Sequence, residues 1–156
     1  MPNVEVRRDS GHAEESAIAD FERASNVRLS QAYRSLLLAH EAPRLHCADF
    51  DFIDRSTGAV TSRDVSFKGF GSALARSNRI VDAQDSDGRW HDRVIVFGDC
   101  ANGDYVCFDY RRDPATAEPI IAVMYHDYPD HDGKMLVSLV ASSFDEFLGL
   151  LYRQAS

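Results

Sequence analysis

The second half of the chain constrains the fold most. Between Val94 and Ala141 four apolar runs of strand length follow one another: Val94–Phe97, Tyr105–Tyr110, Ile120–Tyr125 and Leu136–Ala141. Turn chemistry separates them. Asn102-Gly103-Asp104 is a hairpin signal, Asp113-Pro114 and Glu118-Pro119 bracket a loop, and Pro129 to Gly133 reads as a turn. Hairpin-linked strands of this kind pair antiparallel. The chain then closes on a helix: Ser143 and Glu146 form an S-x-x-E capping box, and Phe144, Phe147, Leu148 and Leu151 make one apolar stripe.

The first half reads differently. Ile18, Phe21 and Ala24 recur at helical spacing with acids in the first turn, which predicts a helix over 13–25 that stops at Asn26. Ser30 can cap a second helix over 31–40 with Tyr33, Leu36 and Leu37 on its apolar face. Ala48 to Asp54 alternates polar and apolar, so it predicts a strand with one wet face. Val60 and Val65–Phe67 predict a weaker strand after the Thr57-Gly58 turn, and Ser72 to about Asp82 a short helix before a turn at Ser86-Asp87-Gly88. Helices and strands segregate. The expected fold is α+β: a mostly antiparallel sheet of about six strands, with two N-terminal helices and one C-terminal helix packed on it. Residues 1–12 are polar and expected to be disordered or frayed, leaving 13–156 as a single domain. A chain of 156 residues, 44% hydrophobic, has material for one core without disulfide or metal staples.

Charge and cysteine usage narrow the function. Seventeen basic and 25 acidic residues give a net charge of -8, which repels nucleic acid and anionic membranes. Between Asp99 and Asp132 stand eight acids against Arg111 and Arg112, a local charge of -6. This suits a solvated acid-rich surface or a face that meets a basic protein. Cys47, Cys100 and Cys107 are odd in number and form no CxxC, so neither a zinc site nor a disulfide framework is expected. The N-terminus has no apolar h-region and no run is long enough to span a bilayer, so a cytoplasmic location is expected.

Catalytic motifs are sparse. The sequence has no G-x-S-x-G, H-E-x-x-H or P-loop, and Gly69-Phe70-Gly71 reads as a turn. The richest polar cluster is His126 to Lys134. Read as a calcium loop it would need Tyr128 and Leu139 as ligands, which neither side chain can provide. A metal-dependent hydrolase would use Asp130, Asp132 and Lys134, but these crowd one turn whose Asp, Pro and Gly explain themselves. Arg89-Trp90-His91 is an aromatic-basic patch offset by Asp85, Asp87 and Asp92.

Four segments in order resemble the SUKH superfamily in its SMI/KNR type. Ile18-x-x-Phe21-Glu22, then Val27-x-Leu29 and Tyr33-Arg34-x-Leu36-Leu37, resemble the family's opening. Ile95-Val96-Phe97-Gly98 with Gly103-Asp104 and Asp109 is similar to its central hairpin. Pro119-Ile120-Ile121 with Tyr125-His126, and Ser143-Phe144 with Phe147-Leu148, match its last strand and helix motifs. Ser30 stands where the family often has proline, and 40–43 lack the common Asn-Gly-Gly.

The resemblance implies a binding protein, not an enzyme, with no cofactor or metal. Bacterial members are implied to be immunity proteins that neutralise polymorphic toxins, often nucleases; fungal members are implied to be cell-wall and signalling regulators. The expected partner is a basic cognate toxin, with no direct nucleic acid or membrane contact, and the chain itself a monomer or weak homodimer. Candidate contact residues are Asp99, Asp104, Asp127, Asp130 and Asp132, with Tyr128 and Trp90 as aromatic anchors. The alternative readings are a regulator or scaffold binding a cellular protein, and a metal-dependent hydrolase at the His126 to Lys134 turn.

Overall fold

The computed structural model describes residues 4–9, 11–40, 42–69 and 90–153. The short helix expected over 72–82 and the turn at 86–88 lie outside these residues.

Helix α1 (Glu15–Ser25) buries Ile18 and Phe21 and stops at Asn26, whose left-handed backbone (φ 53°) returns its N–H to the carbonyls of Glu22 and Arg23. Helix α2 (Gln31–Ala39) starts at Ser30, whose hydroxyl accepts the Tyr33 N–H at 3.3 Å. Helix α3 (Phe144–Leu150) starts at Ser143, whose hydroxyl accepts the Glu146 N–H at 3.1 Å. The second half of that capping box is replaced: the Glu146 carboxylate accepts from the Ser142 hydroxyl at 2.5 Å.

The strands are β1 (Val6–Arg8), β2 (Arg44–Leu45), β3 (Asp49–Ile53), β4 (Val60–Asp64), β5 (Ser66–Phe67), β6 (Val94–Asp99), β7 (Tyr105–Asp109), β8 (Ile120–Pro129) and β9 (Met135–Ala141). Strands β5 to β9 form one antiparallel sheet in chain order. The expected single sheet of about six strands is therefore a five-stranded sheet with two separate two-stranded ribbons, β1-β2 and β3-β4. The reason is local. The turn after Asp54 folds β4 straight back on β3, pairing Ile53 with Val60, and Asp54 holds that turn through Ser56 N–H at 2.8 Å. Within the segment expected to fray, β1 pairs with β2.

The β3-β4 ribbon reaches the main sheet through side chains. Just past β3, the Arg55 N–H donates to the Ser138 hydroxyl at 3.1 Å and its guanidinium to the Val137 carbonyl at 3.1 Å, both on the edge strand β9. Beneath them Tyr125 donates to the Asp54 carboxylate at 2.8 Å and meets the Ser138 hydroxyl at 2.7 Å.

One face of the sheet carries the main core. Phe97 and Phe108 stack at 4.3 Å, and Tyr33 of α2 meets Phe108 edge-on at 4.9 Å. Phe144 of α3 closes the group 5.4 Å from Tyr33. Such pairs add about 1 kcal/mol each beyond the area they bury. The opposite face has a smaller cluster of Val94, Val96, Cys107, Ala122, Met124, Met135 and Val137, with Trp90 and Tyr105 packed against it.

Strand β6 carries a bulge: Val96 pairs with Cys107 but Gly98 with Val106. Gly98 also pairs with Phe67 of β5. A Cβ there would lie 2.9 Å from Val65 Cγ2 and 3.0 Å from the Ser66 carbonyl, so only glycine lets β5 approach.

Candidate functional site

Strand β8 outruns its neighbours. The polar stretch His126–Pro129, part of the cluster read as a turn, continues the strand and regains its partner at Pro129–Met135 after a register shift. The reversal itself spans Asp130 to Lys134. The Asp130 carboxylate accepts the N–H groups of Asp132 at 2.8 Å and Lys134 at 3.1 Å. Burial works to raise the Asp130 pKa, but these backbone bonds and the nearby His91 outweigh it and hold it below the usual carboxylate value. The result is a projecting arm with two exposed acids, Asp127 (75% exposed) and Asp132 (67%), and a half-exposed Tyr128.

The candidate residues divide by environment. Asp127, Tyr128 and Asp132 share the arm. Asp130 faces inward, 3.4 Å from the His91 ring. Asp99, at the end of β6, is bound to Lys68 at 2.8 Å. Trp90 packs against Tyr105, ring centroids 5.0 Å apart, and its carbonyl accepts from Lys134 at 3.3 Å. Asp104 is 2% exposed and belongs to the interior. Asp109 is also buried and holds the Arg111 guanidinium at 2.9 Å. Half of the eight acids between Asp99 and Asp132 thus have internal duties, so the local charge of the sequence overstates the charge on the surface.

Asp104 is the best-satisfied acid of this region. One oxygen accepts the His126 N–H at 3.0 Å and meets the His126 Nδ1 at 2.5 Å. The other accepts from Arg63 Nε at 3.0 Å and Asn102 Nδ2 at 3.0 Å. Burial alone would raise its pKa; the bonds from His126, Asn102 and Arg63 outweigh it and leave the carboxyl below its ordinary value. Gly103 takes a left-handed φ of 99° that favours glycine, and a Cβ placed there would press on the imidazole at 3.3 Å. Sequence reasoning missed this pair as a unit. The signal was present: both residues fall in motifs flanking the β7-β8 ladder, Asp104 one residue and His126 two residues beyond the Tyr105–Met124 pair.

Asp104, His126 and Asp127 bring ligand atoms within 4.8 Å of one another, a group that could hold a metal ion. Asp104 already has both oxygens engaged and His126 has its Nδ1 engaged. What faces outward is His126 Nε2, 3.8 Å from Asp127 Oδ2. The metal-binding turn considered from the sequence, Asp130-Asp132-Lys134, does not converge: Asp130 is committed to its own turn. The corner presents an oriented imidazole edge beside an exposed carboxylate. Burial pushes the Cys100 and Cys107 thiols well above their ordinary pKa, which leaves neither as a nucleophile.

Residues 12–149 match the SMI1 / KNR4 family (SUKH-1). The chain belongs to the SMI1 / KNR4 family. The match spans both N-terminal helices, the five-stranded sheet and most of α3, as the four sequence segments anticipate. No curated protein matches the chain. Among the described residues no helix is long and apolar enough to cross a membrane.

Proposed function

We propose that this SUKH-1 protein is an immunity protein, which binds and neutralises a polymorphic toxin in the cytoplasm through the acidic arm of β8 and β9. The family, associated with immunity to polymorphic toxins and generally non-catalytic, supplies the class. The observation that carries the surface is the arm itself. Asp127 and Asp132 are exposed on either side of Tyr128, and among the described residues their close ionic neighbours are the adjacent histidines. A nuclease toxin needs a basic surface to hold phosphates, and an acidic arm steers onto it and covers it. Tyr128 is the aromatic anchor at the centre of the contact. Asp99 and Asp130 lend charge at its edge while tied to Lys68 and His91. Trp90 supports the arm from beneath. Asp104 acts indirectly, by fixing His126 at the arm's base.

The test is co-expression with the product of the adjacent upstream gene. The chain is expected to rescue growth and to co-purify with that product. Reversing Asp127 and Asp132 to lysine, with Tyr128→Ala, is expected to weaken the complex at least about tenfold at low salt, with a smaller effect at high salt. Rescue with unchanged affinity in the triple variant would move the contact elsewhere on the fold. Absence of any complex would favour a regulator that binds a cellular protein.

A further inference from the structure

A second concave surface lies away from the arm and has the opposite sign. A cleft of about 810 Å³ opens between the end of α1, the connection to α2, the start of β6 and the loop after β7. Arg23, Arg28, Arg34 and Arg93 line it, with Glu22 as the one acid in its wall among the described residues. Four arginines of a chain with net charge -8 thus converge on one hollow.

The arginines are held, with one left open. Glu22 is fully engaged: one carboxylate oxygen accepts from Arg34 and the other accepts the Leu29 N–H at 2.8 Å. Its charge is therefore committed to the α1-α2 connection. Arg93 sits in the left-handed region at φ 65°, uncommon for a long side chain. Two bonds fix it there. Its carbonyl accepts from Tyr110 N–H at 2.8 Å, and its guanidinium donates to the Asn26 carbonyl at 3.0 Å. Arg23 pairs with the exposed Asp20. Arg28 is exposed, and its guanidinium has no hydrogen bond or ion pair among the described residues; its backbone is pinned because its carbonyl accepts from Tyr110 Oη at 2.5 Å.

We infer that this cleft binds a short acidic segment of a partner protein. Guanidinium groups fork onto carboxylates and phosphates alike. The wall decides between them. Ala19, Val27, Pro114 and Ala115 complete its lining, apolar surface suited to a peptide backbone. No aromatic ring lines the cleft to stack a base, and no glycine loop lines it to cradle phosphate, among the described residues. The net charge of the whole protein also opposes a long polyanion, whereas a short segment feels chiefly the local arginines. The inference stands apart from the toxin reading, since it concerns a different surface and a different sign.

The test is a nuclear magnetic resonance titration of the full chain with a hexaglutamate peptide at low salt, with hexalysine and a thymidine hexanucleotide as parallel probes. Hexaglutamate is expected to give saturable shifts confined to the backbone near Arg28, Arg93 and Ala115. Arg28→Glu, at an exposed position that leaves the fold intact, is expected to weaken binding roughly tenfold, and Arg28→Glu with Arg93→Gln further. Four results would overturn the inference: no saturable shift, shifts centred on the arm, equal binding by the Arg28→Glu variant, or tighter binding of the hexanucleotide.

Discussion

At the residue scale, Asp104 shows how a charge can be present for shape and not for contact. Its carboxylate makes four contacts to three residues: Arg63 on β4, Asn102 in the hairpin loop and, twice, His126 on β8. Removing a buried charge while leaving its partner costs several kcal/mol, about 3–5 in comparable cases. Asp104→Ala is therefore expected to destabilise the fold strongly, measured by urea unfolding near neutral pH. The depressed pKa adds a pH signature. A carboxyl whose folded pKa lies below its unfolded value stabilises the protein above the unfolded pKa, near 3.8. That stability is lost as pH falls through the folded value. Asp104→Asn keeps the shape and removes the titration. The wild type should lose stability steeply below about pH 4, and the Asn variant less so over the same range. Parallel unfolding curves at several acid pH values check this; equal slopes would remove Asp104 from the acid response.

At the element scale, Gly98 and the bulge it occupies fix where β5 joins the sheet. An added methyl has no room between Val65 and the Ser66 carbonyl. Gly98→Ala should cost about 1–3 kcal/mol, read as a lowered thermal midpoint. Much at this scale was legible in the sequence. The ends of α1 and α2 followed from Asn26 and Ser30, because a left-handed stop and a hydroxyl cap are local chemistry. The four apolar runs became β6 to β9 for the same reason. What was not legible depends on contacts distant in sequence. Nothing within Ala48 to Asp54 says that β3 pairs with β4 in a ribbon outside the main sheet. The turn expected over Pro129 to Gly133 is present, but the strand before it runs past Tyr125 to Pro129, because pairing at Pro129–Met135 carries it through the polar residues. The site suffered most. Exposure of an acid is a tertiary property, so Asp104 and Asp127 look alike in the sequence and part completely in the fold.

At the scale of the whole molecule, the structure separates two charged surfaces on one aromatic core. The acidic arm lies at the far end of the β8-β9 ribbon, and the basic cleft lies beside the helix connection and the start of β6. The overall charge of -8 therefore hides a polar arrangement. Both surfaces rest on stiff supports. The arm is an extension of a paired strand, and the cleft is braced by Glu22, Tyr110 and the cap of α1. Preorganised surfaces of this kind lose little freedom on binding, which favours tight complexes from small contact areas.

The clasp of Arg55 on β9 bears on what happens when many copies of the chain meet. Strand β9 is the outer strand of the sheet, and an open outer strand is a template on which another chain can add itself. Here the Val137 carbonyl is already taken by a guanidinium, and a positive charge stands where an incoming strand would have to lie. Leu139 two residues on is exposed, so the edge is apolar enough to be sticky once uncovered. Arg55→Ala should leave the monomer folded but aggregate faster on mild heating, with thioflavin fluorescence and light scattering rising ahead of the wild type. Equal aggregation rates would mean that the β3-β4 ribbon, and not its arginine, keeps the edge solitary.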